Sequence, residues 1–75
     1  MAKEMTNEEY LKKLGDRIAK MRNQIGLTQS QFAEQNGLNR SYYARIESGR
    51  INTSICNLRD IAKGLGIDVG ELVAI

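Results

Sequence analysis

The sequence predicts an all-α fold of five helices. Three observations lead there. Helix start signals recur along the chain, and each is followed by apolar residues spaced three or four apart. Glycines close those stretches. There is no proline and no segment of strict apolar–polar alternation, so nothing favours a strand.

The elements read in order. "TNEE" at residues 6–9 is a capping box: Thr6 caps the helix and Glu9 reaches back, with Met5 and Tyr10 in the staple positions. Tyr10, Leu14, Ile18, Met21 and Ile25 then form an amphipathic stripe that ends at Gly26. "TQSQ" at 28–31 is a second capping box, stapled by Leu27 and Phe32, and its short helix stops at Gly37. Asn39 caps a third helix, with Leu38 and Tyr43 as staple and Gly49 as stop. Ser54 begins a fourth, whose buried face is expected at Ile55, Leu58, Ile61, Ala62 and Leu65 and whose end is Gly66. Gly64 inside it costs about 1 kcal/mol relative to alanine. "DVGE" at 68–71 makes Asp68 the cap of a fifth helix at 68–74, with Ile67 and Leu72 stapling its entry.

Composition narrows the function. A chain of 75 residues is one small domain, 1–75, with a modest core. One cysteine, Cys56, and no histidine leave no internal disulfide and no zinc site, and no cofactor is expected. The same inventory, without clustered carboxylates, supplies no general acid–base pair, so an enzyme is not expected. No apolar run approaches the roughly 18 residues of a membrane span. The opening "MAKEMTNEEY" has no apolar signal core, so the chain reads as cytoplasmic and reduced. No membrane or small-molecule partner is indicated.

Charge is unevenly placed. The net charge is +2, but residues 1–16 carry −1, residues 60–75 carry −2, and residues 17–59 carry +5. The basic residues of that middle segment are Arg17, Lys20, Arg22, Arg40, Arg45, Arg50 and Arg59. Arginine suits forked recognition of phosphates and guanine edges.

The run "NRSYYARIESGR" at 39–50 sets two tyrosines side by side. Neighbours on a helix point about 100° apart, so both cannot face the core. Tyr43, three residues before Ile46, belongs to the core stripe. The helices at 28–36 and 39–48 are joined through "NGLN", where small Ala33 and the turn residue Gly37 allow a close, steep approach. That is a helix-turn-helix at about 28–48, whose second helix projects into the DNA major groove. Arg40 and Ser41 lead that helix, Ala44 and Arg45 follow one turn on, and Tyr42 flanks them. The expected partner is double-stranded DNA.

At these residues the chain resembles a known family. "GLTQSQFAEQNGLNRSYYARIESGR" followed by "LRDIAKGLGIDVGEL" looks like the phage repressor and Cro helix-turn-helix regulators, the XRE type, over roughly residues 11–73. The run Arg40, Tyr42, Ile46, Glu47, Gly49, Asn52, Ser54 is further similar to the controller proteins of restriction–modification systems. The resemblance implies a compact lambda-repressor-like fold and a role for each matching residue. Arg40, Ser41, Ala44 and Arg45 match base-reading positions. Thr28, Gln29, Tyr42, Arg50, Asn52 and Thr53 match positions that hold phosphates. Arg22 and Glu47 match an internal ion pair beneath the recognition helix. The chain departs from the pattern at Thr53, where proline is common, and at Gly64, where alanine is usual; both departures are expected to loosen the fourth helix.

Plainer readings exist for single residues. Thr28 and Gln29 would serve as caps in any protein, and Arg45 could pair with Glu47. Arg40 has little structural work at a helix tip. Two function classes follow. The first is a sequence-specific transcriptional regulator. The second is an antitoxin, a protein-interaction module on the same fold, which a long tail or a disordered toxin-binding arm would mark; the sequence to Ile75 has neither. One helix-turn-helix reads few base pairs, so a homodimer on a palindromic operator is expected. Val69, Val73 and Ile75 are apolar residues left over once Leu72 is used by its staple, and they are the expected dimer interface.

Overall fold

The computed structural model describes residues 4–75; Lys3 and its neighbours at the start lie outside that range. Among the described residues the chain forms five helices and no strand: α1 (Asn7–Gln24), α2 (Gln29–Gln35), α3 (Arg40–Glu47), α4 (Ile55–Leu65) and α5 (Val69–Val73).

Local sequence sets the boundaries. Both capping boxes are closed in both directions. Thr6 Oγ1 accepts from the Glu9 amide at 3.1 Å while Glu9 Oε1 accepts from the Thr6 amide at 3.0 Å. Thr28 and Gln31 repeat the exchange at 3.1 and 2.9 Å. Asn39 and Ser54 cap α3 and α4 through the amides of Tyr42 and Asn57. Each such bond satisfies a helix-end donor that would otherwise go without a partner.

α3 packs against both α1 and α2, while α5 packs on α1 and α4. The buried core draws on every helix: Leu14 and Ile18 from α1, Phe32 and Ala33 from α2, Tyr43 and Ile46 from α3, Leu58, Ile61 and Ala62 from α4, and Leu72 from α5. The Phe32 and Tyr43 rings lie 5.2 Å apart, tilted by 33°, and hold α2 to α3. Gly15, in the middle of α1, is buried, and a Cβ there would stand 2.2 Å from the Glu47 carbonyl oxygen. Only a residue without a side chain lets α1 lie against the end of α3.

Four expectations need correction. Ile25 lies past the end of α1 and is 47% exposed, because the stripe drifts off the core as the helix closes. Ile55 is 58% exposed: it is the first residue of α4, and only the later turns of that helix meet the core. Asp68 has the extended backbone of a cap but its side chain bonds no amide, so α5 starts without one. α5 is also shorter than expected, five residues from Val69 to Val73. Gly64 has a use beyond helix composition. The Asn36 side chain fills the space over it, where a Cβ would meet Asn36 Oδ1 at 2.5 Å, and Asn36 Nδ2 donates to the Phe32 carbonyl at 2.8 Å. The glycine lets the end of α2 dock against α4.

Candidate nucleic-acid interface

The turn between α2 and α3 is built by Gly37. Its φ of 67° lies in the left-handed region, which L side chains rarely adopt. That conformation lets the Leu38 amide return to the Ala33 carbonyl at 2.8 Å, closing α2 and redirecting the chain into Asn39. α3 then divides by face. Tyr43, Ile46 and Glu47 are buried, whereas Arg40, Ser41 and Arg45 are exposed and Ala44 is half-buried. Tyr42 is 38% exposed. Adjacent tyrosines thus meet different surroundings, one core and one solvent, as their angular separation requires.

Around this face lie the exposed residues Thr28, Gln29, Arg50 and Asn52, with Thr53 half-buried. Thr28 uses its hydroxyl in the capping box. Among the described residues Arg40, Arg45 and Arg50 form no side-chain ion pair, unlike Arg22. The plainer reading of Arg45, a pair with Glu47, does not hold: Glu47 points to the opposite side of the helix and is taken by Arg22.

Beneath the exposed face, Arg22 grips Glu47 with two parallel bonds, Nε to Oε2 at 2.7 Å and Nη2 to Oε1 at 2.9 Å. Arg22 Nη1 also donates to the Leu27 carbonyl at 2.7 Å and to Asn23 Oδ1 at 3.0 Å. Gln29 Nε2 completes the carboxylate shell, donating to Glu47 Oε1 at 2.9 Å. One carboxylate therefore joins α1, α2 and α3. Burial opposes ionisation of Glu47, but the hydrogen bonds from Arg22 and Gln29 overcome it and hold the carboxyl below its ordinary range. The bond to Glu47 raises Arg22 above its ordinary value in turn. Burial, then the adjacent Glu47 carboxylate, push the Tyr43 hydroxyl upward, although that hydroxyl closes no hydrogen bond of regular geometry.

Two parts of this arrangement were not legible from the sequence, and a third carried a signal there. Gln29 faces inward with its amide nitrogen, which no spacing rule announces. Asn57 donates to Thr53 Oγ1 at 2.9 Å, and that oxygen lies 2.9 Å from the Tyr42 hydroxyl. Gly15 is the third: a glycine inside a helical stripe costs stability and so points to a packing reason, here the approach of the Glu47 carbonyl.

Val69 and Val73 are half-buried and pack against the chain's own core, while Ile75 is 40% exposed. The Tyr10 hydroxyl donates to the Val73 carbonyl, and Arg17 Nη2 donates to the Glu71 carbonyl at 3.2 Å. Both tie α5 to α1.

A capped helix, a glycine turn and a second helix with an arginine-bearing outer face define a helix-turn-helix DNA-binding domain. The chain belongs to the helix-turn-helix family HTH_3, whose model matches residues 18–72, and it is a DNA-binding transcriptional regulator of that class. Control protein C.MunI from Mycoplasma sp is 43% identical over 61 residues, covering 80% of this chain and 82% of that protein. The immunity repressor protein of Bacillus phage phi105 is 45% identical over 60 residues, covering 80% of this chain but 42% of the repressor, so the chain spans less than half of that relative. Among solved structures, the restriction-modification controller protein C.AhdI from Aeromonas hydrophila superposes with a TM-score of 0.78 at 39% identity, covering 83% of this chain and 94% of that one. No helix among the described residues is long and apolar enough to cross a membrane.

Proposed function

We propose that the protein is a controller-type regulator that binds a palindromic operator as a homodimer. The observation that carries this reading is the division of α3: Arg40 is exposed at its N-terminal tip, Ser41, Ala44 and Arg45 line its outer side, and Tyr43, Ile46 and Glu47 are buried. In this reading Arg40 takes a guanine edge through two hydrogen bonds, and Ser41, Ala44 and Arg45 meet neighbouring bases. Thr28, Gln29, Tyr42, Arg50, Asn52 and Thr53 surround that face and fix register on phosphates. Gln29 does so with its amide nitrogen already bound to Glu47.

Similarity to a control protein and to a restriction-modification controller supports the controller role. A phage immunity repressor among the relatives also favours a regulator over an antitoxin. The second subunit would pack against the α5 end, with Ile75 and the outer edges of Val69 and Val73 as contact. A two-fold there would set half-sites about 10 bp apart, one turn of duplex.

Selection of random duplexes on the purified protein tests the whole proposal. The expected product is a palindrome with two short half-sites. Recovery of unrelated sequences, or of a single unrepeated half-site, would overturn it.

A further inference from the structure

Thr53 sits where α3, the following loop and α4 converge. Its Oγ1 takes the Asn57 Nδ2 donor at 2.9 Å and lies 2.9 Å from the Tyr42 hydroxyl. Tyr42 is on α3, Asn57 is on α4, and Thr53 immediately precedes the Ser54 cap. The three side chains therefore tie the outer edge of α3 to the start of α4.

Counting protons shows what this cluster presents. An amide N–H only donates, so Asn57 occupies one acceptor position on Thr53. Thr53 and Tyr42 share one proton between their oxygens. Two hydroxyl groups hold two protons, so one hydroxyl proton is left without a partner in the cluster. A phosphate oxygen only accepts, and is the complement of that donor.

We infer that Asn57 is a positioning residue for DNA: it holds the Thr53 hydroxyl, and through it the Tyr42 hydroxyl, in place to donate to one backbone phosphate in each half-site. The inference rests on the assignment of Tyr42 and Thr53 to the DNA backbone, and goes beyond it in naming Asn57 and the shared donor. Asn57 itself touches no phosphate.

The test uses the full chain and its selected operator, with single backbone phosphates replaced in turn by uncharged methylphosphonates. Wild type should lose affinity at one replacement per half-site through this contact. Asn57→Ala should bind native operator and random duplex alike roughly three- to tenfold more weakly, the range of one or so net hydrogen bond. It should lose little more at the sensitive replacement. Its dependence of affinity on salt should match wild type, because a neutral donor releases no counterion. The double variant Tyr42→Phe/Asn57→Ala should lose no more than the weaker single variant. Thr53→Val, which keeps the side-chain shape without the hydroxyl, should reproduce the loss and covers the case in which Asn57→Ala folds poorly. If Asn57→Ala and Thr53→Val match wild type on every duplex, or if the Tyr42 and Asn57 effects simply add, the inference is overturned while the DNA reading stands. A wild type that binds no selected duplex overturns the DNA reading, and this inference with it.

Discussion

Gly15 of α1 and Glu47 of α3 meet backbone to backbone: the α-carbon of the one lies so close to the carbonyl of the other that a methyl group between them would stand 2.2 Å from oxygen. Gly49 repeats the contact from the other side, where a Cβ would meet the Lys12 α-carbon at 2.8 Å, and its φ of 74° already favours glycine. The two glycines fix how far α1 can sink onto the end of the recognition helix, and that depth is what brings Arg22 within reach of Glu47.

Gly15→Ala should therefore destabilise the fold, although alanine is the better helix former by about 1 kcal/mol. Overpacking costs about 1–3 kcal/mol, and here the obstacle is backbone rather than a side chain that can turn aside, so the upper part of that range is expected. Urea unfolding checks it. A midpoint equal to or above wild type would mean that α1 can shift without loss.

Glu47→Gln should cost about 3–5 kcal/mol, because Arg22 is left charged and buried without its partner. The pH dependence follows from the direction of the shift. The folded carboxyl titrates below the ordinary 4.5, so the unfolded chain takes up the proton first as acid is added. The contribution of the ion pair is full above that value and is lost as pH falls through the folded one. Tyr43 acts at the other end of the scale. Its folded hydroxyl titrates above the ordinary 10.0, so stability falls as pH rises past that value, and Tyr43→Phe should remove this alkaline loss. Thermal unfolding across pH measures both. An acid limb of equal size in wild type and Glu47→Gln would exclude the carboxylate as its source.

Arg40→Ala and Arg50→Ala should fail differently on DNA. Arg40→Ala should cost about 1–3 kcal/mol on the selected operator and relax discrimination at one base pair per half-site. Arg50→Ala should weaken specific and random duplexes alike and lower the salt slope by about 1 per site. Binding titrations at several salt concentrations separate the two. An Arg40→Ala protein that loses affinity equally on all duplexes would make Arg40 a phosphate anchor.

Ile75→Asp should yield monomers in sedimentation while the protein stays helical by circular dichroism. It is a cleaner probe than Val73→Asp, because Val73 packs against its own core and carries the carbonyl that binds Tyr10. Operator affinity should fall together with dimerisation. A wild type that sediments as a monomer at tens of micromolar, or an Ile75→Asp protein that still dimerises, would remove the α5 end as the interface.

Helix boundaries were largely legible because their causes are local. A Thr, Ser or Asn and the amide three residues on bind one another wherever the chain goes, and Thr6, Thr28, Asn39 and Ser54 all do so. Burial was legible only where periodicity continued through a whole helix. Ile25 and Ile55 fit the stripe but sit at helix ends that the core does not reach. Pairings between distant segments were the least legible from the residues alone. Nothing local says that Asn36 covers Gly64, or that Gln29 turns inward to Glu47, since each depends on where another helix arrives. The site shows the same division. The angle between neighbouring residues separates Tyr42 from Tyr43, but the bridge from Tyr42 through Thr53 to Asn57 exists only once α4 is in place.

The two-faced construction of α3 has an evolutionary consequence. Side chains at positions 40, 41 and 45 contribute nothing to the core, so exchanges there leave the folded state almost untouched and most surface substitutions of this kind fall within about 0.5 kcal/mol. Positions 43, 46 and 47 of the same helix are buried, so exchanges there disturb the core or the Arg22–Glu47 pair. On the proposed assignment of positions 40, 41 and 45 to base reading, a lineage built on this scaffold drifts to new target sequences by single exchanges without first acquiring a stabilising mutation. It can diverge in what it reads far faster than in how it folds.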